Sequence, residues 1–224
     1  MKKDNYIFKL TLLILAFIAV PIFLYFFGNF EKRSILMETL SIITILGFTL
    51  LLSQFFTSRL NKTLVKKIRM VNVLATHKFV GYVFISVLLL HPFFIIVPKF
   101  FDNGVTPTDA FLILITTFSS TGVILGLIAY TSIVILLTTS YFRFKLHLKY
   151  KTWRNLHGYL TLLFISTATW HVINIGRHSN TSFSAYYILA LTSGIYYLLR
   201  NYLFKASKKW KRQPKKIICP DEIL

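Results

Sequence analysis

The sequence predicts an all-α polytopic membrane protein, a six-helix transmembrane bundle, and three observations carry that prediction. The first is composition: the 224 residues are 55% hydrophobic, 17% aromatic and 15% charged. A water-soluble domain of this size does not hold such a balance in solution, so the bilayer is part of the solvent. The second is run length, since a hydrocarbon core of about 30 Å takes about 20 mostly apolar residues per crossing. The third is the absence of period-2 alternation, which leaves helices as the only way to satisfy backbone groups in lipid.

The six runs are Leu10–Phe27, Met37–Phe56, His77–Pro98, Ala110–Thr139, Asn155–Gly176 and Phe183–Phe204, each bounded by charged or turn-forming residues. The first follows Met1-Lys2-Lys3 but carries no A-x-A-like cleavage site, so it reads as a retained signal anchor. The other five follow with short connections, giving one domain over residues 1–204 and a basic tail over 205–224. A lone cysteine, Cys219 in that tail, makes neither an internal disulfide nor a cysteine metal cluster. Any metal ligands are therefore expected to be histidines.

A formal net charge of +19 raises nucleic acid as a partner, yet the charges are sorted by loop. Twenty-two of the 26 lysines and arginines fall on one side: Lys2, Lys3 and Lys9, then Arg59 to Lys78, Arg143 to Arg154, and Arg200 to Lys216. Only Lys32, Arg33, Lys99 and Arg177 fall on the other. The positive-inside rule then places both termini in the cytoplasm, in the cell inner (cytoplasmic) membrane, and makes the third and fifth runs parallel. The tail Lys205–Lys216 reads as a topology signal attracted to anionic membrane lipid, with docking of an acidic donor protein as the alternative. No soluble folded domain is left to bind nucleic acid.

Four of the six histidines lie within or at the ends of two apolar runs, where ionisable groups are costly and usually functional. His77 and His91 are in the third run, His157 and His171 in the fifth, and both pairs are 14 residues apart. Along a helix that is about 21 Å, within about 40° of one face. In parallel helices His77 stands level with His157, and His91 with His171. Each level can grip one iron from both sides, so two b-type haems, stacked about 20 Å apart between the third and fifth helices, are the expected cofactors. A lone intramembrane histidine is more often an interhelical hydrogen bond. Zinc ligands would converge on one point, whereas these form two levels. His147, in a basic loop, and His178, beside Arg177, fall outside the register and are expected to be solvated.

Several neighbours suit a haem pocket. Gly81 and Gly158 leave room for a porphyrin, although helix packing explains them as well. Lys78, Arg154 and Lys151 are candidate cations for the inner haem's propionates and Arg177 for the outer's, with positive-inside and snorkelling roles as the alternative. Phe79, Phe84, Trp153 and Trp170 are candidates for the haem faces. Gly122 and Gly126 form a G-x-x-x-G read as close helix packing.

At Thr76-His77-Lys78-Phe79-Val80-Gly81 with His91-Pro92, and at Tyr150-Lys151-Thr152-Trp153-Arg154-Asn155-Leu156-His157-Gly158, the sequence resembles the ferric reductase-like transmembrane domain. That superfamily includes iron reductases, NADPH oxidases and the haem subunit of a bacterial methionine sulfoxide reductase system. The resemblance covers roughly residues 35–204 and implies that His77, His91, His157 and His171 are axial ligands. It implies electron flow from a cytoplasmic reduced flavin through the inner and then the outer haem. Within these 224 residues there is no G-x-G-x-x-G after the sixth run, which leaves two expectations: a partner donor (a flavoprotein carrying FAD or FMN, free flavin, or quinol), or a flavin domain in a longer chain of which these residues are a part.

Four functions compete, of which a purely structural assembly protein leaves the matched histidines unexplained. The first is an oxidoreductase component, a cytochrome b delivering electrons to Fe(III), oxygen or a periplasmic protein. The second is a haem subunit serving a methionine sulfoxide reductase-type partner, and the short outer loops Lys99–Asp109 and Arg177–Ser182 suit a docking protein or a small acceptor. The third, a haem-free histidine-containing transporter, predicts acidic residues near the bilayer midplane. Of the seven Asp and Glu, only Glu38 and Asp109 approach a helix.

Overall fold

The computed structural model describes residues 11–58, 61, 64, 65, 69–96, 106–116 and 120–206. The lysines of the first ten residues, Lys99, Cys219 and the tail from residue 207 lie outside the described residues. Among the described residues the secondary structure is entirely helical: α1 (Thr11–Phe27), α2 (Ile35–Thr57), α3 (Met70–Ile96), α4 (Pro107–Thr116), α5 (Thr121–Tyr141), α6 (Tyr150–Ile175) and α7 (Thr181–Ala206).

Four of these are long and apolar enough to cross a membrane: Ile35–Thr57, Met70–Phe94, Thr121–Tyr141 and Thr181–Arg200. Their outer faces are apolar, with Ile35, Val71, Ile135 and Leu189 among the exposed large side chains. An apolar outer surface on long helices makes this a membrane protein. α1 is shorter, and α6, although 26 residues long, carries Arg154, Asn155 and two histidines.

The structure departs from the sequence reading at three elements. The run Ala110–Thr139 is two helices, α4 and α5, with Ser120 in extended conformation at the start of α5. Thr116, Ser120 and Thr121 flank the break, and such side chains compete with helical backbone bonding. α3 begins at Met70, seven residues before His77, and α6 begins at Tyr150, seven before His157. His77 and His157 thus sit inside helices rather than at their starts.

α1 shows how backbone polarity is handled in an apolar helix. Its segment Leu15–Ala19 is a π-helical turn preceding Pro21. Proline has no N–H to give to the preceding turn. The carbonyls there accept from other helices instead: Tyr186 donates its hydroxyl to Ala16 O at 3.0 Å, and Thr49 donates to Phe17 O at 3.0 Å. These two bonds tie α1 to α7 and α2. Asn29, in left-handed conformation at φ 51°, turns the chain after α1.

α5 pairs extensively with α6 and α2 with α3; α7 packs on α2 and α6, and α3 on α5. The core is a continuous seam including Leu52, Phe55, Ile133, Ile165, Phe183 and Tyr187. At one end the carboxylate of Glu38, in the first turn of α2, gathers the loop after α1 and the α6–α7 turn. It accepts from Arg177 Nη1 at 3.1 Å, from the Arg33 N–H at 3.0 Å and from the Tyr25 hydroxyl. Arg177 also donates to the Glu31 carbonyl.

A paired-histidine cleft between α3 and α6

α3 and α6 both pack on α5, and their histidines meet across the space between them. The rings of His77 and His157 are 6.4 Å apart between centroids. His91 and His171, the other two, are near enough for their charges to interact. The sequence register therefore holds: two levels, each with one histidine from each helix. Among the described residues no three or more His, Cys, Asp or Glu side chains converge as a metal cluster.

α5 orients both histidines of α6. Ser140 Oγ lies 3.2 Å from His157 Nδ1, and the Gly122 carbonyl lies 2.8 Å from His171 Nδ1. A carbonyl only accepts, so Nδ1 of His171 carries the hydrogen of this contact, an arrangement that in a neutral imidazole leaves the lone pair on Nε2. The Gly122–Gly126 motif makes this contact possible. A Cβ on Gly126 would stand 2.6 Å from His171 Cε1, and one on Gly122 would stand 3.2 Å from Asn174 Cβ. The glycines serve close helix packing, as their spacing suggests, and they also let α5 reach the histidine.

Trp153 fixes the other level. Its ring lies against His157 at 5.3 Å, tilted by 31°, and its indole N–H donates to the Thr139 carbonyl at 3.1 Å. The Arg143 guanidinium lies over Trp153 at 4.5 Å and over Tyr150 at 4.9 Å, pinning the α5–α6 turn. Around the α3 histidines the environment is sparser. His77 Nδ1 and His91 Nδ1 are buried without a hydrogen-bond partner among the described residues. One turn beyond His77 on the same face, a Cβ added to Gly81 would meet nothing within 4 Å, so open space borders the cleft there.

The remaining candidates sort by position. Lys78 and Lys151 are exposed at the His77–His157 end, and Arg154 is half-buried there. Arg177 lies at the opposite end, engaged with Glu38. Phe79 is 68% exposed and about 200° around the helix from His77, so it faces away from the cleft. Phe84 and Phe164 occupy the midpoints of the two 14-residue intervals. Trp170 is half exposed beside His171. His147 is exposed as expected, but His178 is not: it is buried between Tyr25, 5.0 Å away, and Phe30, 4.8 Å away. The α1–α2 loop folds over it, a long-range contact no local pattern announces. Ser140, the Gly122 carbonyl and Glu38 are the polar partners that sequence reasoning missed. Placing α5 antiparallel to α6 through the short turn after Tyr141 would have brought Ser140 level with His157.

The family model described as ferric reductase like transmembrane component matches residues 43–168, from α2 through most of α6. The chain belongs to this family. An uncharacterized protein of Archaeoglobus fulgidus is 33% identical to this ferric reductase-like chain over 176 residues, 78% of this chain and 96% of the relative. No solved structure matches it. Family membership supports a role in membrane electron transfer, and the match includes His77, His91 and His157.

Proposed function

We propose that this ferric reductase-like chain is a transmembrane di-haem b electron-transfer protein. It carries electrons from a cytoplasmic reductant (flavin, flavoprotein or quinol) to an outer-face acceptor such as Fe(III) or a periplasmic protein.

The observation that carries this reading is the 6.4 Å spacing of the His77 and His157 rings. Two metal–nitrogen bonds of about 2 Å each, plus about 1 Å from each nitrogen to its ring centre, give about 6 Å for imidazoles gripping one metal from opposite sides. The two-residue levels suit a metal whose remaining ligands come from a macrocycle. The space beside Gly81 and the Nε2 lone pair left by the Gly122–His171 bond support the same group.

When bound, haem supplies one-electron iron chemistry. The chain's own part is to hold and space it. His77 and His157 are the inner ligands, and His91 and His171 the outer. Ser140 and Gly122 set ring orientation and raise ligand basicity, as partners outside the ligand set do. Lys78 and Arg154 offer positive charge at the inner end. At the outer end Arg177, ion-paired with Glu38, would be the residue to offer positive charge to a haem carboxylate. In this reading α1 and α6 complete six crossings, with the basic end in the cytoplasm by the positive-inside rule.

The test is haem stoichiometry with a dithionite-reduced minus oxidised spectrum of detergent-purified protein. Two b-type haems per chain are expected, with His91→Ala or His171→Ala losing the outer one. Haem-free protein after haem-replete expression overturns the proposal.

A further inference from the structure

The polar partners of the histidine pairs are uneven, and a buried amide on α2 stands where one is missing. Both terminal atoms of the Gln54 side chain are buried without a hydrogen-bond partner among the described residues, inside a helix long enough to span a membrane. An unsatisfied amide there is costly, and its geometry points to what satisfies it.

α2 and α3 are antiparallel and meet closely at Gly47, where an added Cβ would stand 3.3 Å from Val87 and 3.6 Å from Phe84. Seven residues along a helix is about 10.5 Å and returns to within about 20° of the same face. One heptad toward the basic end, Gly47 becomes Gln54, while on α3 Phe84 becomes His77 and Val87 becomes Val80. The neighbouring face of α2 is already occupied by α7, with Phe48 against Tyr187 and Phe55 against Gly194. Gln54 therefore belongs to the face of α2 that addresses α3, at the level of His77. His77 Nδ1 is itself buried and unpartnered.

We infer that Gln54 is a positioning residue for His77: the two groups are not bonded to each other in this structure, and with the metal bound the amide oxygen would accept the Nδ1–H of His77 and leave Nε2 of that ring to the metal. The inference rests on the two-haem reading and adds to it the α2 counterpart of what Ser140 and Gly122 do from α5. At the outer level the same heptad step from Gly47 arrives at Leu40, which has no polar group to offer His91. The inner pair thus has a hydrogen-bonding partner from α2 that the outer pair lacks. Hydrogen bonding to a ligating imidazole makes it a more basic donor and favours the oxidised metal.

The experiment is a potentiometric titration of the purified full chain, in wild type, Gln54→Leu and Gln54→Glu. His77→Ala identifies which transition belongs to the inner haem. Gln54→Leu should shift the inner midpoint potential upward and weaken retention of that haem about 10–100-fold. Gln54→Glu, which supplies a stronger acceptor, should shift it downward, and the outer transition should stay in place in both. Unchanged inner potentials, or equal shifts of both haems, overturn the inference while leaving the di-haem reading intact; haem-free wild type overturns the reading itself. If Gln54→Leu does not accumulate in the membrane, Gln54→Glu decides alone: a downward inner shift supports the role, and any other result overturns it.

Discussion

The Nδ1 of His171 lies 2.8 Å from the carbonyl oxygen of Gly122, a contact spanning 49 residues of sequence. It exists because Gly122 and Gly126 remove the side chains that would hold α5 away from α6. In Gly126→Leu the new side chain enters the volume of the His171 ring, whose Cε1 stands 2.6 Å from the Cβ position. Loss of the outer haem with the inner retained is expected, read as a fall from two haems to one per chain.

Ser140 gives the converse case, a partner that can be removed without a clash. Ser140→Ala deletes the 3.2 Å contact to His157 Nδ1, while the Trp153 ring still packs against the imidazole. A single side-chain hydrogen bond is worth about 1 kcal/mol. The expected result is an unchanged haem count with a displaced inner midpoint potential and an unmoved outer one, measured by redox titration.

Thr49 and Tyr186 together satisfy the two carbonyls of α1 before Pro21. Thr49→Val and Tyr186→Phe each keep shape and remove a donor. Hydrogen bonds of this kind within membranes contribute about 0.6–2 kcal/mol. Each variant is expected to lower the thermal midpoint in detergent. The double variant should detach α1 from the bundle, seen as protease cleavage in the segment before Ile35.

The pH response follows from His178. Burial against Tyr25 and Phe30, followed by the nearby Arg177 charge, lowers its pKa; Glu38 opposes this and Arg33 adds to it. The fold therefore favours the neutral ring, and the unfolded chain binds the proton more readily. That contribution is fully present above the ordinary histidine value of about 6.5 and is lost progressively as pH falls below it. Thermal stability should drop on acidification through this range, and His178→Phe should flatten the drop. Glu38→Gln removes the one influence that raises the pKa, and should extend the loss to lower pH.

The sequence by itself determined the membrane class, the helical fold and the two-level histidine register. These are properties of composition and of a helix repeat, and a 14-residue interval returns to the same face whatever surrounds it. His77 and His157 were legible for that reason, and the resemblance at Tyr150–Gly158 was legible because it is contiguous. Tertiary structure alone decided which groups hold the rings. Ser140 reaches His157, Gly122 reaches His171, and Glu38 reaches Arg177 across 139 residues, only once the helices are paired and their rotations set. It also decided that His178 is buried, since the covering loop comes from the other end of the chain. Such contacts depend on the relative rotation of separate helices, which side-chain packing sets and local spacing does not encode.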